Sequence, residues 1–335
     1  MLALTATQAK SKLETRELTL PELKRDEVEI AVEYCGICHS DLSMLDNEWG
    51  MSAYPFVPGH EIIGTVRTVG DTVSRLKVGD RVGLGWFSRS CLHCDQCMTG
   101  NHNLCPQNES TMLGRAGGFA THVRCQQDWA IPLPKDLDPK KAGPLFCGGI
   151  TVFNPIVQCE VKPTDRVGVI GIGGLGHLAL QFLNAWGCEV IAFSSSDGKT
   201  EEARKLGAHH VVNSKDKSAL EKIQGSLNFV LSTVNASMNW DAFLGTLAPK
   251  GRLHVVGAVP EPIPVSAFSL LMGQKGISGT PLGAPATTAK MLEFCGRHKI
   301  ETVTEHFPMS KANDAIEHLR SGKARYRIVL ENDLG

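Results

Sequence analysis

An α/β protein is predicted, with a doubly wound parallel sheet joined to an antiparallel β-barrel domain. Three observations carry the prediction. From Val161 onward, short apolar runs alternate with stretches of helical periodicity, as in a parallel sheet covered on both faces. In the first third, alternating apolar residues are punctuated by glycine turns, the pattern of antiparallel strands with one buried face. Between these regions, RVGVIGIGGLGHLALQFLNA (residues 166–185) leads from a buried strand through a glycine turn into a helix.

That stretch organises the chain. Val167, Val169 and Ile170 make the strand, while Leu175, Leu178, Ala179, Phe182 and Leu183 fall on one helical face. Gly171, Gly173, Gly174 and Gly176 lie between them. They let the backbone turn tightly and approach a pyrophosphate, which the free N–H groups of the helix N-terminus would bind. This is a Rossmann-type dinucleotide fingerprint. A glycine turn without ligand is the alternative, and the motif by itself names no reaction.

In chain order, Val28, Ile30, Val32 and Tyr34 alternate as a strand that runs into CGICHSD (35–41). YPFVPGHEIIGTVRTVG (54–70) carries His60 and Glu61 into a second strand, and VSRLKVGDRVGLG (73–85) continues the alternation. GGFATHVRC (117–125) and WAIPLP (129–134) read as further strand, and a helix holding Cys147 is expected over Pro139–Phe153. Strands follow near 166–170, 189–193, 210–213, 228–232, 251–257 and 276–279, with helices between most of them. Helices over Thr288–His298 and Ser310–Arg320 and a last strand in RYRIVL (325–330) should pack back on the β domain. The expected domains are therefore 1–149 with 286–335, and 150–285.

Composition narrows the class. A hydrophobic fraction of 42%, a charged fraction of 21% and a net charge of -1 give no electrostatic reason to expect nucleic acid or an anionic membrane. No apolar run reaches the roughly 18 residues needed to span a bilayer. The first residues lack a secretory h-region, so a cytoplasmic location is expected. There, eleven cysteines suggest thiol chemistry or metal binding rather than disulfides.

Two cysteine sets matter. Cys91, Cys94, Cys97 and Cys105 lie in CLHCDQCMTGNHNLC (91–105), a polar loop with no hydrophobic period that something else must order. Four thiolates at this spacing fit a closed structural zinc site, and an iron–sulfur cluster is chemically possible. Cys38, His60 and Cys147 are far apart, and spacing alone does not group them. Two thiolates and one imidazole would leave a fourth metal position open, whereas each residue alone reads as a buried thiol or a loop histidine.

Together with GHEIIGTV (59–66), GPLFCGGITVF (143–153) and VIGIGGLGHLALQF (169–182), these motifs resemble the zinc-dependent medium-chain alcohol dehydrogenases from about residue 30 to the end. CHSDLSMLDNEWG (38–50), GPLFCGGITVF and GKARYRIVL (322–330) are most similar to the cinnamyl alcohol dehydrogenase-like branch and its NADP-dependent aldehyde reductases. The resemblance implies a GroES-like catalytic domain beside the Rossmann domain. It implies catalytic zinc on Cys38, His60 and Cys147, with Glu61 as an alternative ligand. Ser40 would hydrogen-bond to the substrate oxygen and the cofactor ribose. Cofactor contacts are implied at Thr151, the turn Gly171, Ile172, Gly173, Gly174, Leu175 and Gly176, Thr233, Gly257, and Thr280, Pro281 and Leu282. Many relatives carry a relay histidine where this chain has Ser43, so protons are expected to leave by ribose and water or through His39. A homodimer is implied, with edge strands near Gly276–Gly279 pairing.

The cofactor can be read from the strand that follows the glycine turn. Where NAD-specific folds place a carboxylate, the sequence offers Ser194, Ser195, Ser196 and then Lys199, which suit a 2′-phosphate and favour NADP(H). The expected reaction is zinc-assisted reduction of an aldehyde by NADPH, with Trp49, Trp86 and Phe87 as candidates for an apolar substrate pocket. Polyol oxidation and a non-catalytic NADPH- or zinc-binding sensor are the competing readings.

Overall fold

The computed structural model describes residues 1–195, 198 and 200–335. Ser196 and Lys199 lie outside the described residues. The chain divides into two compact units, Met1–Ile150 with Gly283–Gly335, and Thr151–Leu282.

In the first unit, β1 (Leu2–Thr5) and β2 (Glu14–Glu17) pair antiparallel. β3 (Glu27–Ile37) is the spine of a larger sheet, burying Val28, Ile30, Val32, Cys35 and Ile37. It runs straight into α1 (His39–Leu45) and pairs antiparallel with β4 (Ile62–Val69), which in turn pairs with β5 (Arg81–Leu84). Of VSRLKVGDRVGLG, only Arg81–Leu84 is strand. Gly79 takes a φ of +94° and Asp80 accepts a bond from the Lys77 amide, so that stretch turns instead. β6 (Phe87–Arg89) and β7 (Glu109–Ser110) form a ribbon whose ends carry the cysteine loop, which includes α2 (Asp95–Met98). β8 (His122–Gln126) joins β3, and β9 (Ile131–Pro132) joins β5.

The helix expected over Pro139–Phe153 is broken. α3 (Pro139–Ala142) gives way to a 3₁₀ turn over Gly143–Phe146, Cys147 takes φ -124° and ψ -75°, and α4 (Gly148–Gln158) begins afresh. Pro144 withdraws one helical N–H. At Gly143 any Cβ would press on the Glu61 carbonyl, which holds the turn close to that residue. The break is what frees the Cys147 thiol from a helical face.

In the second unit, β10 (Arg166–Ile170) leads into α5 (Gly176–Trp186). β11 (Glu189–Ser194), α6 (Thr200–Lys205), β12 (His210–Asn213), α7 (Lys217–Glu221), β13 (Leu227–Ser232), α8 (Trp240–Thr246), β14 (Leu247–Val255), α9 (Ala267–Leu271) and β15 (Gly276–Gly279) follow. The strands are all parallel, in the order β12-β11-β10-β13-β14-β15. That is the doubly wound order, with its switch point between β10 and β13, where dinucleotides bind. β14 starts four residues earlier than the sequence suggested. Its pairing with β13 begins at Leu227↔Leu247 and shifts register before Phe229↔Arg252, an irregularity that alternation alone does not reveal. Ile191, Phe193, Trp240, Phe243 and Leu253 fill one core of this unit.

The tail belongs to the first unit. α10 (Pro285–His298) precedes β16 (Thr304–Pro308), and α11 (Ala312–Arg320) buries Ala312, Ala315 and Ile316. β17 (Arg327–Glu331) pairs parallel with β16 and antiparallel with the C-terminal half of β3, so the last strand enters the large sheet.

Candidate active site

The strand register assembles the first centre. Cys35 of β3 lies opposite Ile62 of β4, so Cys38, just past the end of β3, neighbours His60 and Glu61, just before β4. Ile328 of β17 lies opposite Ile37, which brings Arg327 to the same end of the sheet. The break before α4 then supplies Cys147. One ligand atom from each of Cys38, His60, Glu61 and Cys147 lies within 4.8 Å of all the others, and all four residues are buried. The Cys147 thiol donates to Cys38 at 3.8 Å. Gly36 is required here, because a Cβ would occupy the space of the Glu61 side chain.

Residues around the four fix their orientation. Asp41, in the first turn of α1, accepts the Cys38 amide at 2.8 Å, the Gly59 amide at 2.9 Å and His60 Nδ1 at 3.1 Å. With Nδ1–H committed to Asp41, Nε2 presents its lone pair to the cluster. Nε2 of His60 and Oε2 of Glu61 are buried without a hydrogen-bond partner. Contact with Cys147 lowers the Cys38 thiol well below its usual range against the cost of burial, and Arg327 and His60 help. Its contact with Cys38, and burial, push Cys147 up. Burial opposes charge on His60, but Asp41 and Cys38 outweigh it and raise its pKa well above 6.5. Burial raises Glu61, which Arg327 partly offsets from the other side in a fully buried ion pair. The negative charge that draws a proton to His60 would equally hold a divalent cation. The two buried lone-pair atoms without a hydrogen-bond partner belong to residues of this cluster, and a cation would satisfy them. The site fits a zinc ion.

The second centre is the polar loop. Ligand atoms of Cys91, Cys94, Cys97 and Cys105 also lie within 4.8 Å of one another. Amides of Cys94, Cys91 and Gln107 point at the sulfurs of Cys91, Cys105 and Cys105 at 3.3, 3.4 and 3.4 Å. The His93 amide leads in holding the Cys91 thiol down to about 6, while burial pushes Cys97 up to about 12. Four sulfurs this close cannot all be thiolates without a cation among them, so this loop too fits zinc. Among the described residues these are the two such groups. Cys35, Cys125, Cys188 and Cys295 are buried packing residues, and Cys159 lies against His254.

The family model of the alcohol dehydrogenase GroES-like domain matches residues 24–135, and that of the zinc-binding dehydrogenases matches residues 174–297. Aldehyde reductase AdhA of Synechocystis sp. is 52% identical over 330 residues, 98% of each chain. The chain belongs to the zinc-binding medium-chain alcohol dehydrogenases. Among solved structures, the cinnamyl alcohol dehydrogenase SbCAD4 of Sorghum bicolor matches with a TM-score of 0.94 and 36% identity, over 98% of this chain and 97% of that one. CAD from Helicobacter pylori, complexed with NADP(H), matches with a TM-score of 0.90 and 28% identity, over the same shares.

The glycine turn stands apart in sequence from these ligands, in the second unit. Gly171 takes a φ of +87°, and a Cβ on Gly176 would strike the Gly171 carbonyl. A Cβ on Gly173 would meet no protein atom, the open space that a pyrophosphate needs. Ile172, Gly174 and Leu175 complete the turn. Thr233, after β13, pins it: Oγ1 donates to the carbonyls of Ile170 at 3.0 Å and Gly171 at 2.8 Å. Gly257, after β14, cannot carry a side chain because the Val234 carbonyl is in the way. A cavity of about 920 Å³ opens beside the turn, with Ser194 and Ser195 in its wall. Thr280 bonds His254 Nε2 at 3.1 Å, the Leu282 carbonyl accepts from Asn154 at 2.6 Å, and Pro281 lies between them. Thr151 is buried on α4.

Around the first centre, Ser40 Oγ is 3.6 Å from the Cys38 sulfur and His39 is exposed. Ser43 is buried and donates to Glu48 at 2.7 Å, so its hydroxyl is committed elsewhere. The Trp86 ring meets His60 edge-on at 5.0 Å and Trp49 at 6.2 Å. Phe87 packs on Trp129 at 5.5 Å. Sequence reasoning missed Asp41 and Arg327. Asp41 was visible as the acid three residues after Cys38 at a helix start, whereas Arg327 lies in a strand with no motif around it.

Proposed function

We propose that the protein reduces aldehydes to primary alcohols with NADPH, reversibly, at the Cys38–His60–Cys147 centre. The observation that carries this is the buried convergence of two thiols and one imidazole from three separated segments, with Glu61 beside them. A zinc ion held there would supply a Lewis acid for the carbonyl oxygen, and bound NADPH would supply the hydride. Cys38, His60 and Cys147 hold the metal, Asp41 fixes the ring of His60, and Glu61 serves as an alternative ligand held back by Arg327. Ser40 gives its hydroxyl proton to the developing alkoxide. Because the Ser43 hydroxyl is tied to Glu48, it would not carry the proton onward, and exposed His39 is the residue of this chain that would pass it to water. Trp86, whose ring meets His60, lines a cleft of about 520 Å³ with Met51, Phe87 and Leu113, and Asn108, Glu109, Ser110 and Arg115 share its wall, so the cleft offers apolar contact for an aldehyde's body beside polar groups.

The structural zinc belongs to Cys91, Cys94, Cys97 and Cys105. The turn Gly171–Gly176, Thr233 and Gly257 bind the pyrophosphate side of the cofactor, Thr151 and Thr280–Leu282 the nicotinamide side, and Ser194 and Ser195 the 2′-phosphate. β15 is an edge strand, and Phe268, Leu271 and Met272, in and just after the helix α9 that precedes it in sequence, are exposed, which supports a homodimer through that edge. Among the described residues no helix is long and apolar enough to cross a membrane. The free cysteines suit a reducing compartment such as the cytoplasm. Measuring kcat/KM for aldehydes and polyols with each nicotinamide cofactor tests the reading. Aldehydes with NADPH should lead, and equal or better turnover with NADH or with polyols would refute it.

A further inference from the structure

The cavity beside the glycine turn has a wall that the serines do not supply. β12 lies next to β11 with Ser194 opposite Asn213, and the Ser214 amide donates to the Ser194 carbonyl at 2.9 Å. The chain leaving β12 is thus hydrogen-bonded to the end of the serine-bearing strand. Lys215 follows at once, its amide held by Asn213 Oδ1 at 3.0 Å, and it lines the same cavity as Gly171, Ser194 and Ser195. Lys217 also lines that cavity, but it pairs with Glu221 at 3.8 Å. Asp241, another acid in the wall, accepts the Ser266 amide. Among the described residues Lys215 has no carboxylate partner, although it stands one strand from two serine hydroxyls.

An ammonium offers three donors and no acceptor. It gains little from a neutral ribose 2′-hydroxyl, which water serves as well, but it neutralises a phosphate dianion through charge-assisted hydrogen bonds. We propose that Lys215 is a specificity-determining residue for the phosphate-bearing cofactor, engaging the 2′-phosphate from the β12 side while Ser194 and Ser195 engage it from β11. This rests on the NADP(H) reading above and adds a residue to it. It also accounts for a lysine at an exposed strand end whose backbone is fixed by Asn213 while its charge is left unpaired.

The test is equilibrium binding by calorimetry to the zinc-replete protein, using adenosine 2′,5′-bisphosphate and 5′-AMP as probes. Lys215 is exposed, so Lys215→Ala should fold as the wild type does. The wild type should prefer the bisphosphate. Lys215→Ala should weaken the bisphosphate about tenfold, leave 5′-AMP within about twofold, and lose the difference in high salt. Lys215→Arg should restore most of the affinity. Unchanged bisphosphate affinity in Lys215→Ala, with the wild-type preference intact, overturns the role of Lys215 and leaves the NADP(H) reading standing. A wild type that binds the two probes equally overturns both. Equal weakening of both probes also overturns the proposal, because it would mean a general effect on the adenosine site.

Discussion

Arg327→Met is the most informative perturbation of the catalytic unit. The Arg327 side chain is 4% exposed and pairs with Glu61, which is fully buried, and both lie against Cys38 and Cys147. A buried ion pair adds little net stability over an apolar pair of the same shape, but removing one partner strands the other charge in the interior. That costs about 3–5 kcal/mol. Methionine keeps most of the arginine's apolar volume, so the loss reports charge rather than a cavity. Urea unfolding of the wild type, Arg327→Met, Glu61→Gln and the double variant, all at one fixed zinc concentration, measures it. Arg327→Met should lose about 3–5 kcal/mol, and the double variant should recover most of that. The sign with pH follows from Glu61, whose carboxyl is already raised by burial and rises further without its cation. A group with a raised folded pKa is favourable while protonated. The deficit of Arg327→Met should therefore shrink as pH falls through the carboxylate range and grow as pH rises. A loss within about 1 kcal/mol, or a double variant no better than the sum of the singles, would refute this account of the pair.

Other expectations follow from the same structure. Asp41→Asn keeps the shape but weakens the bond that aims His60, so zinc affinity at the catalytic centre should fall about 10–100-fold in a chelator competition. Cys97→Ser should lower metal analysis from about two zinc ions per chain to about one while the catalytic ion stays, since the two clusters share no ligand. His254 is buried in β14, where burial first and then Arg252 hold its pKa down to about 4. Below pH 6.5 the unfolded chain takes a proton there that the folded chain refuses. Stability should fall by about 3 kcal/mol between pH 6.5 and 4, and His254→Gln should remove that component of the slope.

Much of this was legible because local chemistry and global fold agree. The strand Arg166–Ile170 and its glycine turn announced a dinucleotide site from periodicity alone, and the four clustered cysteines announced a metal in a loop with no core of its own. The proposed catalytic ligands are harder to read, since Cys38, His60 and Cys147 meet only through the β3–β4 register and a broken helix. They were named from resemblance rather than spacing. The helix expected through Cys147 shows why: the break depends on a close approach between Gly143 and Glu61, a contact separated by some eighty residues of sequence that no local pattern encodes. Arg327 was invisible for the same reason, because its partner arrives through the pairing of the last strand with β3. The proposed role of Lys215 has no local sequence signal, because the residue follows the strand that pairs with the serines' own strand.

The central claim is that the buried thiol–imidazole centre, and not the dinucleotide unit alone, performs the chemistry. Cys38→Ser tests it most directly, with aldehyde-dependent NADPH oxidation and NADPH binding measured on the same zinc-replete preparation. The account predicts that turnover is abolished while NADPH binds with wild-type affinity. Retained aldehyde reduction in Cys38→Ser would contradict it.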